Sequence, residues 1–250
     1  MLNSAVAAAS LRAWFDAGLA LLFPEVCQLC GQTRATPRQC YVCAGCRARV
    51  RWVEPPVCER CGRPFEGAIT TSFVCGHCQE TKLHFSSARS AVLADDFALD
   101  VIHRYKYGRA LWFEPLLADW LVARARPALE AGSWDCIVPI PLHPAKQRER
   151  EFNQAERLAT RLSDATGIPL NKCLVRRVLP TRTQTRLTRE ERLANVRRAF
   201  ACPGSSRLKG ERLILVDDVL TTGATASACA GALWQAGAGD VCVWTVARGI

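Results

Sequence analysis

The stretch Arg212-Leu-Ile-Leu-Val-Asp-Asp-Val-Leu-Thr-Thr-Gly-Ala-Thr225 constrains this chain more than any other. Leu213 to Val216 is an unbroken aliphatic run, suited to a strand buried on both faces of a parallel sheet. Asp217 and Asp218 stand where that strand should end. Thr221, Thr222, Gly223, Ala224 and Thr225 are small residues that leave backbone N–H groups uncovered, and an alanine-rich segment follows to Gly237. The pattern predicts a strand, a loop and a helix.

A loop of this kind aims amides and hydroxyls at one point, where the helix dipole adds partial positive charge, so a phosphate is its natural occupant. The ionised Asp side chains beside it accept hydrogen bonds or bind a cation. Phosphate on one side and hydroxyls or a metal on the other describe a ribose 5-phosphate. The Lys of a Walker A motif and the three glycines of a dinucleotide fingerprint are both missing. The alternative is a plain βαβ crossover in which the Asp pair caps a helix. Val216 to Thr225 resembles the phosphoribosyl pyrophosphate (PRPP) motif of type I phosphoribosyltransferases.

Fourteen cysteines, with no export signal read at the N-terminus, point to metal rather than disulfides. Cys27-x2-Cys30 is followed after twelve residues by Cys43-x2-Cys46, and Cys58-x2-Cys61 after thirteen by Cys75-x2-Cys78. Each CxxC turn sets two thiolates on one side of a knuckle, and two knuckles complete the tetrahedron that Zn²⁺ prefers. The spacing predicts two structural zinc sites in tandem. Cys40-x2-Cys43 competes with Cys43-x2-Cys46 for the first site; Cys46 is preferred because it makes the two ribbons nearly equal in length. His77 and His84 are nearby substitutes of lower rank. Gly31, Gly62 and Gly76 follow knuckle cysteines, where a turn with positive φ is expected.

A length of 250 residues allows one substantial core and a small appendage. The net charge of +10 points to anionic partners, among them nucleic acid, phosphorylated metabolites and acidic membrane surfaces. Leu11, Trp14, Phe15, Leu19 and Leu22 fall at helical spacing and predict an amphipathic helix, while the apolar run Ala17 to Phe23 is too short to cross a bilayer. A cytoplasmic protein without stable membrane insertion is expected.

Beyond Cys78 apolar periodicity takes over, placing a boundary near residues 80 to 86. Ser87 to Leu93 reads as a strand. Asp95 or Asp96 then caps a helix that ends at Arg104-Tyr-Lys-Tyr-Gly108, with Gly108 as its C′ residue and Lys106 either a surface lysine or a functional one. Leu111 to Ala131 predicts a further helix burying Leu116, Leu117, Trp120, Leu121 and Val122. Cys136 to Ile140 reads as a strand leaving into a proline-stiffened loop that carries Lys146, Arg148 and Arg150, which could serve a pyrophosphate. Phe152-Asn-Gln154 and a helix burying Ala155, Leu158, Ala159 and Leu162 follow. Arg176 to Phe200 is dense in arginine and reads equally as a solvated face, a lid over an anion or part of a nucleic-acid track.

The paired cysteine head, Ile-Val-Pro-Ile-Pro-Leu-His-Pro, Phe-Asn-Gln-Ala, Thr181-x-x-Gln184, Arg192-x-x-Asn195 and the Asp-Asp-Val-Leu-Thr-Thr-Gly-Ala-Thr loop together resemble the ComF/GntX family. The resemblance implies an α/β protein: a type I phosphoribosyltransferase-like parallel sheet with flanking helices, preceded by a small double zinc ribbon. The implied domains are an N-terminal helix over residues 1–24, ribbons over 25–82 and the phosphoribosyltransferase-like part over 83–250. By position, Asp217 and Asp218 would hold the ribose hydroxyls and help organise Mg²⁺, and Thr221, Thr222, Gly223, Ala224 and Thr225 would wrap the 5-phosphate. Family members have Gly before Phe-Asn-Gln where this chain has Glu151, a carboxylate that would repel pyrophosphate. The family also implies a role in DNA uptake and natural transformation. Two functions are compatible with that: Mg²⁺-dependent transfer of phosphoribose from PRPP to an acceptor, or binding of PRPP or single-stranded DNA without turnover, with DNA-uptake or recombination proteins such as a helicase as partners.

Overall fold

The computed structural model describes residues 25–67, 69, 71–178, 199–204 and 208–249. The helix expected over Leu11 to Leu22 and the arginines from Arg182 to Arg198 lie outside the described residues. The chain divides into two compact units, residues 1–49 and 50–250.

In the first unit a short 3₁₀ turn, Pro37–Gln39, precedes helix α1 (Ala44–Arg47). In the second, helix α2 (Gly76–Glu80) closes the second cysteine-rich segment. The elements after it are β1 (Ser87–Leu93), α3 (Asp96–Tyr107), α4 (Glu114–Glu130), β2 (Cys136–Pro139), α5 (Pro144–Arg150), α6 (Gln154–Thr166), β3 (Arg176–Arg177), β4 (Phe200–Ala201), β5 (Arg212–Leu220), α7 (Ala224–Gln235) and β6 (Asp240–Arg248). β1, β6, β5 and β2 form one sheet in that order, every pair parallel, while β3 and β4 form a separate antiparallel pair.

Leu213, Ile214, Leu215 and Val216 are all fully buried, as a strand covered on both faces requires. Leu213, Leu215, Val241 and Val243 share a core with α7 residues and with Cys58 and Cys61. α4 and α6 pack against each other and against the sheet. Register between β1 and β6 is pinned inside the sheet by Ser90 Oγ and Thr245 Oγ1, 2.6 Å apart.

Four local expectations change. β5 does not end at the acids: its ladder with β6 continues through Asp217 opposite Thr245 to Leu220 opposite Arg248. The segment carrying Lys146, Arg148 and Arg150 is a helix, because Pro144 takes its first position and His143 Nδ1 accepts the Ala145 N–H at 3.2 Å. Gly31 and Gly62 have φ of 67° and 65°, but Gly76 opens α2, and past α3 the left-handed residue is Arg109 (φ 52°) rather than Gly108 (φ −88°).

Candidate functional site

Asp217 and Asp218 follow one another near the end of β5, and their side chains interact there. Asp217 lines a cavity of about 60 Å³ together with the run Val219 to Ala226. Its Oδ1 accepts the Asp218 N–H at 2.9 Å. Gly223, at φ 79°, turns the chain into α7, and the residue at the N-cap offers no side-chain cap, so the helix N-terminus opens toward the cavity. Thr222 Oγ1 accepts the Ala224 N–H at 3.4 Å and shapes the turn. A Cβ on Gly223 would meet the Phe85 ring at 3.3 Å, so the loop sits tightly on the core beneath it.

Asp217 retains some exposed surface, yet burial of its carboxyl, and then the charge of Asp218, lifts it to about 7 against the pull of Lys106. Across from it, the Arg177 guanidinium lies 5.3 Å from the centre of the Phe200 ring, where burial lowers its pKa and Asp217 opposes that shift. Asp218 is 3% exposed, and its Oδ2 meets Lys106 Nζ at 2.6 Å. Lys106 is therefore the half-buried partner of an acid in the signature. Beside it, Tyr105 is fully buried against Phe152, ring centroids 5.1 Å apart, and burial followed by Glu114 pushes its phenol up. Glu114 in turn binds Arg157 and, at 3.2 Å, Arg161.

The Phe-Asn-Gln motif has a structural job. Buried Asn153 caps α6 by accepting the Ala155 N–H at 3.0 Å, and its Nδ2 donates to Ile140 O at 3.3 Å, fixing the helix to the end of β2. Lys146, Arg148 and Arg150 lie on α5, outside the lining of the cavity, and Arg150 stacks 4.7 Å from the Tyr107 ring centre. Glu151 has φ 68°, a conformation made for glycine, and its carboxylate is held by Arg109 at 2.7 Å.

The cysteines gather as the spacing predicts. Cys27, Cys30, Cys43 and Cys46 form one cluster, and Cys58, Cys61, Cys75 and Cys78 a second, with all ligand atoms of each within 4.8 Å of one another. A tetrahedron with Zn–S bonds of about 2.3 Å has sulfurs about 3.8 Å apart. Cys30 and Cys43 Sγ are 3.9 Å apart and Cys61 and Cys75 Sγ 3.7 Å, so both sets fit zinc. Backbone N–H groups orient the sulfurs: Cys43 N–H donates to Cys27 Sγ at 3.4 Å and Cys75 N–H to Cys58 Sγ at 3.3 Å. The N–H groups of Gln32 and Thr33 bring the Cys30 thiol down to about 6, favouring the thiolate that a metal needs. Cys40 stays outside the first cluster, in a left-handed turn after the 3₁₀ segment. Neither histidine is a ligand: His77 Nε2 is 3.2 Å from Thr222 O, and His84 N–H donates to Ser227 Oγ at 3.0 Å.

The residue that sequence inspection passes over is Arg248. It lies 187 positions from Cys61, so no local pattern betrays their contact.

A parallel α/β sheet with an acid-and-threonine loop at a helix N-terminus, preceded by paired four-cysteine clusters, defines a zinc-ribbon protein with an α/β body. The family model for the double zinc ribbon domain matches residues 18–79. DNA utilization protein YhgH of Salmonella typhimurium is 30% identical, over 91% of this chain and 99% of its own length. Competence protein F of Haemophilus influenzae is 29% identical over 82% of this chain and 96% of its own. Competence protein ComFC of Bacillus subtilis is 27% identical over 83% and 84%. Among solved structures, a purine phosphoribosyltransferase from Pyrococcus horikoshii aligns over 55% of this chain and 84% of its own at 19% identity, with a TM-score of 0.35. The chain belongs to the ComF/GntX family.

Proposed function

We propose that this protein binds PRPP with Mg²⁺ at the cavity beside Asp217 and acts in the cytoplasm on DNA taken up by the cell. The observation that carries the proposal is the convergence of an ionisable carboxylate, the Thr221 to Thr225 loop and the open N-terminus of α7 on one small cavity. In this assignment the loop amides and threonine hydroxyls hold the 5-phosphate, and Asp217 accepts from the ribose hydroxyls. Asp218 fixes the end of the strand through Lys106 and so sets where Asp217 points. Mg²⁺, when bound, would neutralise the pyrophosphate oxygens. Lys146, Arg148 and Arg150 follow β2, whose end is on the same sheet edge as that of β5, and are assigned to the pyrophosphate. Arg109 offsets the repulsion that Glu151 would exert there.

The competence and DNA-utilization names of its relatives support the DNA-uptake role. The charge of +10 suits an encounter with single-stranded DNA, and the ribbons over residues 25–82 offer a surface to uptake or recombination proteins such as a helicase. The test is calorimetric titration of PRPP with Mg²⁺ into the wild type and Asp217→Asn. Saturable binding, lost in the variant, is expected; binding that the substitution leaves intact would place the ligand elsewhere.

A further inference from the structure

Arg248 ends β6 with only 4% of its surface exposed. Its Nε donates to Cys61 O at 3.0 Å and its Nη2 to Cys61 Sγ at 3.5 Å. Its Nη1 donates to Leu220 O at 3.0 Å, to Thr221 O at 2.8 Å and to Gly249 O. One guanidinium thus holds a knuckle of the second cysteine cluster and the first carbonyls of the phosphate loop.

Each peptide unit is planar, with its C=O and N–H pointing in opposite directions. Fixing the carbonyls of Leu220 and Thr221 on Arg248 therefore fixes the N–H groups of Thr221 and Thr222, which belong to the cavity lining. A second tie comes from His77, between ligands Cys75 and Cys78, whose Nε2 reaches Thr222 O. Gly223 completes the junction by resting on Phe85 and Leu83, which pack in the same core as Cys58 and Cys61. Among the ion pairs of the described residues, none supplies a carboxylate to Arg248. Four thiolates around a dication carry net negative charge, which is the counter-charge a buried guanidinium requires.

We propose that Arg248 is the positioning residue of the phosphate loop, and that through it and His77 the metal held by Cys58, Cys61, Cys75 and Cys78 sets the binding competence of the cavity. The proposal rests on the phosphate assignment of that cavity. When the metal leaves, the knuckle relaxes, Arg248 loses the two acceptors on Cys61, and the loop amides lose their direction.

The test is hydrogen exchange of residues 221–226 in the full-length, zinc-loaded chain, alongside PRPP titration. Metal removal from the wild type should speed exchange there by at least tenfold while α6 is unchanged, and weaken PRPP by a similar factor. Arg248→Lys should reproduce both effects with its metal in place, and metal removal should then add less than twofold. His77→Ala should give a smaller acceleration, about threefold. Cys46→Ser, which perturbs the first cluster alone, should leave the loop as it is. Loop exchange indifferent to metal removal, or rising equally throughout α6, would overturn the proposal. If Arg248→Lys fails to fold by circular dichroism, the metal-removal and His77→Ala arms decide. Exchange that responds to metal in a protein that never binds PRPP would uphold the coupling and overturn the phosphate assignment.

Discussion

Lys106 Nζ lies 2.6 Å from Asp218 Oδ2, and the two side chains keep only 14% and 5% of their surfaces exposed. Breaking such a pair from one side strands the other charge, at a cost of about 3–5 kcal/mol. Lys106→Met is therefore expected to lower stability by about that amount in urea titration. Lys106→Met with Asp218→Asn should cost clearly less than the sum of the single changes.

Asp217 gives a pH signature. Its carboxyl titrates at about 7 in the fold, above its ordinary value, so the folded chain favours the protonated form. Ionisation therefore works against folding, increasingly so as pH rises from the ordinary carboxylate range through about 7. Asp217→Asn should melt higher than the wild type near pH 8, with the difference vanishing near pH 4. If Asp217 accepts from the ribose hydroxyls as proposed, PRPP binding should weaken in the wild type between about pH 8 and pH 6.

Gly223→Ala combines a φ of 79° with a contact at 3.3 Å from Phe85. The strained backbone alone is worth about 1 kcal/mol or more, and the displaced turn should cost at least tenfold in PRPP affinity. A melting curve with a parallel titration separates the two effects.

Glu151→Gly tests the family's preference. The left-handed conformation costs an L-residue about 1–2 kcal/mol, whereas the exposed pair with Arg109 contributes little. The variant is expected to be modestly more stable and to bind PRPP more tightly, as read by denaturation and calorimetry.

Metal stoichiometry discriminates between the neighbouring cysteines. Cys40→Ser should keep about two zinc ions per chain by elemental analysis, and Cys46→Ser about one, since Cys46 and not Cys40 joins the first cluster.

The elements most readily seen in the sequence were those whose chemistry is local. Leu213 to Val216 suits a doubly covered strand, and the CxxC pairs carry their ligand geometry in their spacing. Asp217 and Asp218 stand out as a pair, but their separate settings, Asp217 at the cavity and Asp218 on Lys106, arise only in the folded chain. The proline of Pro144 suggested a stiff loop, although at the first helical position its fixed φ starts a helix instead. For Lys106 the sequence leaves a surface and a functional reading equally open, because its partner is brought to it only by tertiary packing. The contacts of Arg248 join a knuckle to a strand end 187 positions away in the chain and leave no trace in spacing.

In the order β1-β6-β5-β2, β6, which follows the other three strands along the chain, fills an interior place. Until residues 240–248 emerge, β1 and β5 have no shared neighbour, and each presents an open edge to the cell. A nascent chain halted before that point is a candidate for chaperone capture or proteolysis rather than a smaller working protein, so trimming this body from its later end should abolish soluble expression instead of merely shortening the product.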